Sequence, residues 1–450
     1  MFKSSFSHLT QSIHQRNTTW REQGLARHSV EFSTAQDPES RIDGHSRLLF
    51  SSSNYLGLAT HPAVTTAAKQ AIDTYGMGSG GSRLTTGTTA LHNQLERELS
   101  DWLGYEDTVF FATGFQTNLA VLGTLIDSNT TVFSDEKNHA SIIDGIRMAR
   151  ATNRGANNQG SASHDATNRG ATNRGATLRV FPHRDYATLE EFLREDANAH
   201  RQPNRNQLIV SDGVFSMDGT TADIPAIMTL ARKYGAFVVI DDAHGVGTQS
   251  ADGRGTCHAQ LGDNDDWPHV LIGTASKALG TEGGFACTSA EVAELLRNQG
   301  RSYVFSTANS APQVAATVAA VGVLKKEEGK RLVGALQRNG RRVAQAVGAA
   351  TKTAPHETAP HETAPHETAP HETASHGPII PIEIGDEATA MRAAEKLKEL
   401  GFHVPAIRYP TVPRGRAILR VTVMATHTDE QIDALIAAVR SVGTSLALAR

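Results

Sequence analysis

Short apolar, β-rich runs that each end on a polar or glycine-rich turn constrain this chain more than any other feature. They are DTVFFATG (107–114), TTVFSD (130–135), NQLIVSDGVF (206–215), GAFVVIDDAHG (235–245) and HVLIGTASK (269–277). Helical patterns accompany them at 61–76, 89–104 and 224–235, the last two stopping at glycine. This strand–helix alternation predicts an α/β fold, a mostly parallel sheet covered by helices. Ligands of such sheets bind beyond the C-terminal strand ends, so the residues that follow the apolar runs are the candidates for chemistry.

After residue 305 come a long helical stretch (311–347), a strand GPIIPIEIG (377–385) and a strand–helix tail starting at Ala417. They predict a smaller α+β domain. The first 55 residues read as an amphipathic helix and an extended segment. Their Ser/Thr-rich, basic start also admits a transit peptide, and it has neither the apolar core nor the cleavage site of a secretory signal. The expected organisation is therefore an N-terminal segment (1–55), a large domain (56–305) and a small C-terminal domain (306–450).

Two segments interrupt this pattern. Residues 151–177 hold three ATNRG copies, and residues 353–377 hold four TAPHE copies and a decayed one. Neither has an apolar face with which to offset chain entropy, so both are expected to be disordered surface insertions. The TAPHE histidines alternate with Glu, Thr and Pro without fixed geometry, so a solvated linker is expected rather than a metal site. Deleting 353–376 is expected to leave activity largely intact.

Charge and cysteine content exclude other classes. A net charge of −4 without a dense Lys/Arg run predicts no nucleic-acid partner. No apolar run is long enough to span a membrane. Two cysteines, Cys257 and Cys287, cannot build a disulfide framework, and a reducing cytoplasm is the expected location.

Three turns carry the chemistry. In ATGFQTN, Gly114 turns the chain and Phe115 opens a helix whose free N–H groups suit an anion such as phosphate, although glycine turns after strands are common. In VVIDDAHG, Asp241 and His244 follow an apolar strand. A carboxylate partly buried there needs a cationic partner such as a protonated pyridine nitrogen; an N-cap or a salt bridge is the plain alternative. The same D-D-A-H string could ligate a metal, but no matching His/Glu cluster accompanies it. In IGTASKALGTEGGF, small residues surround Lys277 and leave space for a planar ring attached at its amine. Such a lysine forms a Schiff base with an aldehyde once burial or nearby cations lower its pKa. Thr274 and Ser276 offer hydroxyls to a phosphate, and Gly280, Gly283 and Gly284 permit close backbone approach. Read alone, SKALG is more often an ordinary helix start.

Together these turns, with SSSNYLGLATHP, GSGGSRLTTGTTALHNQLE, DEKNHASIIDG, DGVFSMDG and AIRYPTVPRGRAILRVTVMATHT, resemble the α-oxoamine synthase family of pyridoxal-phosphate enzymes. The resemblance runs from about Ser51 to Ala438. It implies the fold-type-I, aspartate aminotransferase-like architecture and pyridoxal 5'-phosphate as cofactor. Lys277 would hold the cofactor and move the substrate Cα proton. Asp241 would pair with the pyridine nitrogen, His244 would bond the phenolic oxygen, and His139 would stack on the ring. Ser216 would contact the cofactor, while Gly114, Phe115, Thr274 and Ser276 would surround its phosphate. Family members commonly have Tyr at the position of Phe115, so a hydroxyl contact is lost there. Thr307 would reach the phosphate of a partner subunit, which implies a homodimer with composite sites. Arg420, assisted by Asn54, would fork onto the amino-acid carboxylate.

The implied reaction joins an amino acid to an acyl thioester, carried by coenzyme A or an acyl-carrier protein, with loss of CO₂. Within the family, AIRYPTVPRG (406–415) resembles most the members that join L-alanine to a pimeloyl thioester, with Tyr409 in place of a proline. Arg408 and Thr411 would line the acyl entrance, and Arg27 would add a further substrate contact. Asp212 stands where those members often carry Glu, which keeps open the alternative of glycine with an acetyl thioester.

Overall fold

A computed structural model of the chain describes residues 7–159, 176–199, 205–263, 266–351 and 377–446. Its centre is a seven-stranded sheet built from β1 (Asp107–Phe111), β2 (Thr130–Asp135), β3 (Thr177–Phe181), β4 (Asn206–Asp212), β5 (Phe237–Asp241), β6 (Val270–Thr274) and β7 (Gly284–Thr288). The spatial order is β1-β7-β6-β5-β4-β2-β3. All pairings are parallel except the two made by β7. Val, Ile and Leu dominate β4–β6 because helices cover both faces and every residue from Gln207 onward in β4 is buried.

The five strands expected from sequence are all present. Two others were not anticipated. β3 is an outer strand of the sheet with a half-exposed pattern, and it begins as the ATNRG segment ends. β7 is a five-residue run beginning on glycine, too short for alternation to show. The expected disorder of 151–177 also needs correction at its ends. The helix Ala140–Gln159 continues through the first ATNRG copy, and Thr177 already belongs to β3. Once nucleated on the packed residues Ile142, Ile146 and Ala149, a helix can extend through polar residues without an apolar face of its own. The TAPHE repeats lie outside the described residues apart from Gly377.

The single long helix expected over 311–347 is two, Ala311–Leu324 and Glu327–Thr351. The chain turns at Lys325, and a Cβ at Gly329 would stand 2.4 Å from the Leu324 Cα, so glycine lets the second helix start against the end of the first. The first of them packs on Pro62–Tyr75 and Ala90–Leu103 of the large domain.

The C-terminal part carries an antiparallel sheet in which Ala417–Thr422 lies between Ile379–Gly385 and Ala406–Ile407. The N-terminal segment joins this part. Helix His8–Glu22 has no buried residue, but the hairpin Glu39–Ile42/His45–Leu49 pairs with Phe402–His403. Phe50, Ser52 and Tyr55 then run along the Ala417–Ala425 segment, accepting hydrogen bonds from Thr422 and Ala425.

Candidate active site

The strands β2, β4, β5 and β6 each deliver a polar group at or just after their C-terminal ends. Asp212 and Asp241 end β4 and β5 as direct cross-strand neighbours, and both are buried. Thr274 ends β6, and Lys277 follows in the next turn. His139 follows β2 and His244 follows β5. The helix Gly114–Leu125 starts where β1 has ended. Parallel register thus converges residues that are far apart in sequence.

Lys277 is half-buried, with Asp241, Asp212 and Arg420 in electrostatic reach. Burial pulls its pKa down to about 8 and the Arg420 charge assists, against the opposing pull of the two aspartates. A substantial neutral fraction at neutral pH makes this amine nucleophilic. The anions nearby are shaped by the same burial. Asp212 is pushed well above the usual carboxylate range by burial and then by Asp241. Its Oδ2 accepts the backbone N–H of His139 at 2.9 Å.

Asp241 makes no ion pair among the described residues. Its Oδ2 accepts from Asn118 Nδ2 at 2.6 Å and its Oδ1 from the Ala243 N–H at 3.0 Å. Asn118 Nδ2 also donates to Ser141 Oγ at 3.0 Å, and Ser141 Oγ lies 2.8 Å from His139 Nδ1. His139 is exposed as a residue, but partial withdrawal of its imidazole from water lowers its pKa, and Asp241 opposes that shift. His244 is buried, and its Nδ1 is 2.8 Å from the Tyr55 hydroxyl. Burial, with Lys277 and Arg420 nearby, holds His244 well below the ordinary histidine range, so it is neutral.

The anion cradle is built where the helix after β1 meets the end of β6. Thr113 caps the helix by accepting the Gln116 N–H, and the N–H groups of Gly114 and Phe115 lie in its unpaired first turn. A Cβ at Gly114 would stand 3.1 Å from Thr274 Oγ1, so only glycine lets the helix end approach this strand without displacement. The Thr274 hydroxyl donates to the Gly283 carbonyl at 2.8 Å and lies 2.9 Å from Ser276 Oγ. Ser276 is therefore the exposed hydroxyl of the pair and Thr274 its support.

These groups fit pyridoxal phosphate. A buried carboxylate that makes no ion pair among the described residues suits a protonated ring nitrogen, a pKa-lowered amine suits the aldehyde, and a glycine-opened helix end suits the phosphate.

Arg420 is buried, and its Nε donates to the Ser216 carbonyl at 2.7 Å, which brings those two expected residues together. Asn54 is also buried, but its Nδ2 donates to the Gln36 carbonyl and its Oδ1 accepts the Ala59 N–H. Its side chain holds the loop around Tyr55. Arg27, Arg408 and Thr411 form a second group. Arg27 Nη2 donates to Thr411 Oγ1 at 3.3 Å, and Arg408 Nη2 to the Ala26 carbonyl at 3.2 Å. They edge a cleft of about 590 Å³ whose apolar wall includes Val30, Phe402 and Ile407. Thr307 is exposed on a loop bridged to Ser82.

Tyr55, Asn118 and Ser141 were not singled out from sequence. Each sits inside a segment that was, SSSNYLG, ATGFQTN and NHASI, but its partner is remote or its role depends on one.

A seven-stranded sheet with a lysine, an aspartate and a glycine-opened helix end at its C-terminal edge is the arrangement of a pyridoxal-dependent transferase. The chain belongs to the class I and II aminotransferase family, whose profile matches residues 46–159 and 160–439. Among curated relatives, the 8-amino-7-oxononanoate synthase of Geobacter sulfurreducens is 36% identical, covering 98% of this chain and 100% of that protein. The biotin biosynthesis bifunctional protein BioWF of Corynebacterium kroppenstedtii is 43% identical over 96% of this chain, which spans only 58% of that longer protein. Among solved structures, serine palmitoyltransferase of Sphingomonas wittichii superposes with a TM-score of 0.80 at 27% identity, covering 99% of this chain and 100% of its own.

Proposed function

We propose that this chain condenses L-alanine with a pimeloyl thioester, releasing CO₂ and the free thiol and forming 8-amino-7-oxononanoate, with pyridoxal phosphate held at Lys277. The observation that carries the chemistry is the Lys277 amine, brought to a pKa of about 8 and framed by Asp241 and Arg420 at the sheet's C-terminal edge. The choice of substrates rests on the AIRYPTVPRG segment and on full-length relatives named for that product.

When bound, pyridoxal phosphate supplies a protonated ring that draws electrons from the amino acid's Cα. Asp241 keeps that charge in place, held by Asn118 and the Ala243 N–H. His139 covers one face and His244 offers its remaining nitrogen, Nε2, while Tyr55 occupies Nδ1. Ser276, Thr274 and the Gly114–Phe115 turn take the phosphate end. Arg420, with Nε committed to Ser216, presents its Nη groups to the alanine carboxylate. Lys277 Nζ removes the Cα proton and later returns one after CO₂ has left. Arg27, Arg408 and Thr411 receive the acyl donor, where two guanidinium groups suit the pimeloyl carboxylate or the phosphates of a carrier.

The active form is a homodimer. The Ser82–Thr307 bridge gathers the loops bearing Met77, Leu84 and Phe305, which are 66%, 56% and 74% exposed. Such apolar exposure on ordered loops suits a surface covered by a second copy.

The test is thiol release by pyridoxal-loaded protein given L-alanine with pimeloyl-CoA and, separately, glycine with acetyl-CoA. Turnover on the first pair, abolished in Lys277→Ala, is the expected result. Turnover on the second pair alone would reassign the substrates while retaining the lysine chemistry.

A further inference from the structure

We propose that Asn118 and Ser141 are positioning residues of a hydrogen-bond chain that links Asp241 to His139, with Asn118 donating to Asp241 on one side and to Ser141 on the other and Ser141 donating to His139, fixing His139 as the neutral tautomer with its proton on Nε2. The proposal rests on the reading above only in that His139 faces the cofactor; the relay itself lies within the protein.

The direction of each hydrogen follows from chemistry. The atom of Asn118 that lies 2.6 Å from Asp241 Oδ2 must be the amide nitrogen, because the amide oxygen there would oppose a carboxylate. The other proton of Nδ2 points at Ser141 Oγ, 3.0 Å away. Having accepted there, Ser141 is free to donate its own proton to His139 Nδ1 at 2.8 Å. The backbone N–H of Ser141 reaches the same nitrogen at 3.3 Å. Two donors converge on Nδ1, so it carries the lone pair and the ring proton resides on Nε2. Protonating Nδ1 would set N–H against N–H and force the Ser141 hydroxyl proton away from its acceptor.

The surrounding charges do not dictate this outcome. Asp241 at the end of β5 and Asp144 on the histidine's own helix favour a cationic ring, while Asp212 at the end of β4, itself pushed well above the usual carboxylate range, accepts only the histidine's backbone N–H. Lys277 beyond β6 opposes a cationic ring, and His244 is neutral. A relay that ends on a lone pair tips the balance toward neutrality. The consequence for function is that the imidazole presents an uncharged face; a cationic ring would stack cation on cation against a protonated pyridine.

The experiment is histidine-selective ¹⁵N NMR of the apo-protein over pH 5–8, with the His139 signal identified by its loss in His139→Gln. The wild type is expected to show the Nε2–H tautomer and to take up its proton below the ordinary histidine range. Ser141→Ala is expected to abolish the tautomer preference and raise the proton affinity of His139 about tenfold, and Ser141→Thr to restore both. Asn118→Leu should reproduce the Ser141→Ala change and also weaken pyridoxal phosphate binding about tenfold. An unaltered His139 tautomer and midpoint in soluble Ser141→Ala would overturn the relay. Because the protein carries no cofactor in this titration, its outcome is independent of the thiol-release assay, which tests the proposed reaction.

Discussion

Capture of pyridoxal phosphate by the apo-protein, followed by stopped-flow absorbance from pH 6 to pH 10, reads the neutral fraction of Lys277 directly. With a pKa of about 8, about one amine in eleven is neutral at pH 7; at the ordinary 10.5 the figure is about one in three thousand. Burial thus raises the reactive fraction roughly 300-fold, and the capture rate should level off above pH 8 instead of climbing tenfold per unit to pH 10. The perturbation that isolates this effect is Arg420→Gln. The Arg420 charge lowers the Lys277 pKa, so its loss should move the midpoint upward and slow capture at pH 7 about two- to fivefold. Folding carries the same signature. Below pH 8 the folded chain holds a partly buried ammonium that the unfolded chain solvates freely, and the penalty fades between pH 8 and 10.5 as the folded-state amine deprotonates first. Lys277→Met should therefore stabilise the apo-protein by about 1–3 kcal/mol at neutral pH, seen as a higher urea midpoint. A log-linear capture rate through pH 9, or an Arg420→Gln midpoint below the wild-type value, would refute this reasoning.

Three further outcomes are expected. Arg27→Ala and Thr411→Ala should raise KM for the acyl thioester about tenfold or more while leaving KM for L-alanine within about twofold, because the pair is tied together away from the Arg420 site; steady-state kinetics with each substrate varied checks this. Gly273→Ala should destabilise the fold by about 1–3 kcal/mol in urea denaturation, since the new Cβ would stand 2.2 Å from the Phe285 ring inside a fully buried strand. His92 and His427, each lowered to about 4 chiefly by burial, are neutral in the fold but take up protons near 6.5 once unfolded. Stability should thus fall from about pH 6.5 down to pH 4, by up to about 1.4 kcal/mol per pH unit for each, and His427→Gln should flatten that fall in Tm measured against pH.

Lys277, Asp241 and His244 were legible because each lies directly after an apolar run, where strand geometry alone places it at the ligand edge. β3 and β7 were not legible, one half-exposed at the sheet's edge and the other short and opened by glycine. Asn54 shows the opposite limit. Its place in a recognisable motif suggested a substrate contact, whereas its amide is bonded at both ends to backbone groups of its own region.

The polar support of the site was illegible for a physical reason that these residues share. A side chain's role as a donor is set by the acceptor it meets, and the acceptors here come from distant strands. Asn118 meets Asp241 across 123 positions, Tyr55 meets His244 across 189, and Arg420 meets the Ser216 carbonyl across 204. Periodicity carries no information about such pairs, because the same Asn, Tyr or Arg would sit equally well on a helix or strand with no partner at all. Burial makes the pairing obligatory once the fold forms, since an unpaired polar group at these depths costs about 1–3 kcal/mol. The groups legible in the sequence are therefore those that strand ends place at the ligand edge, and those the fold alone reveals are the polar partners bonded to them. For His139 that division is sharp: its position after β2 follows from the sequence, while the location of its proton follows from a serine and an asparagine bonded to an aspartate two strands away.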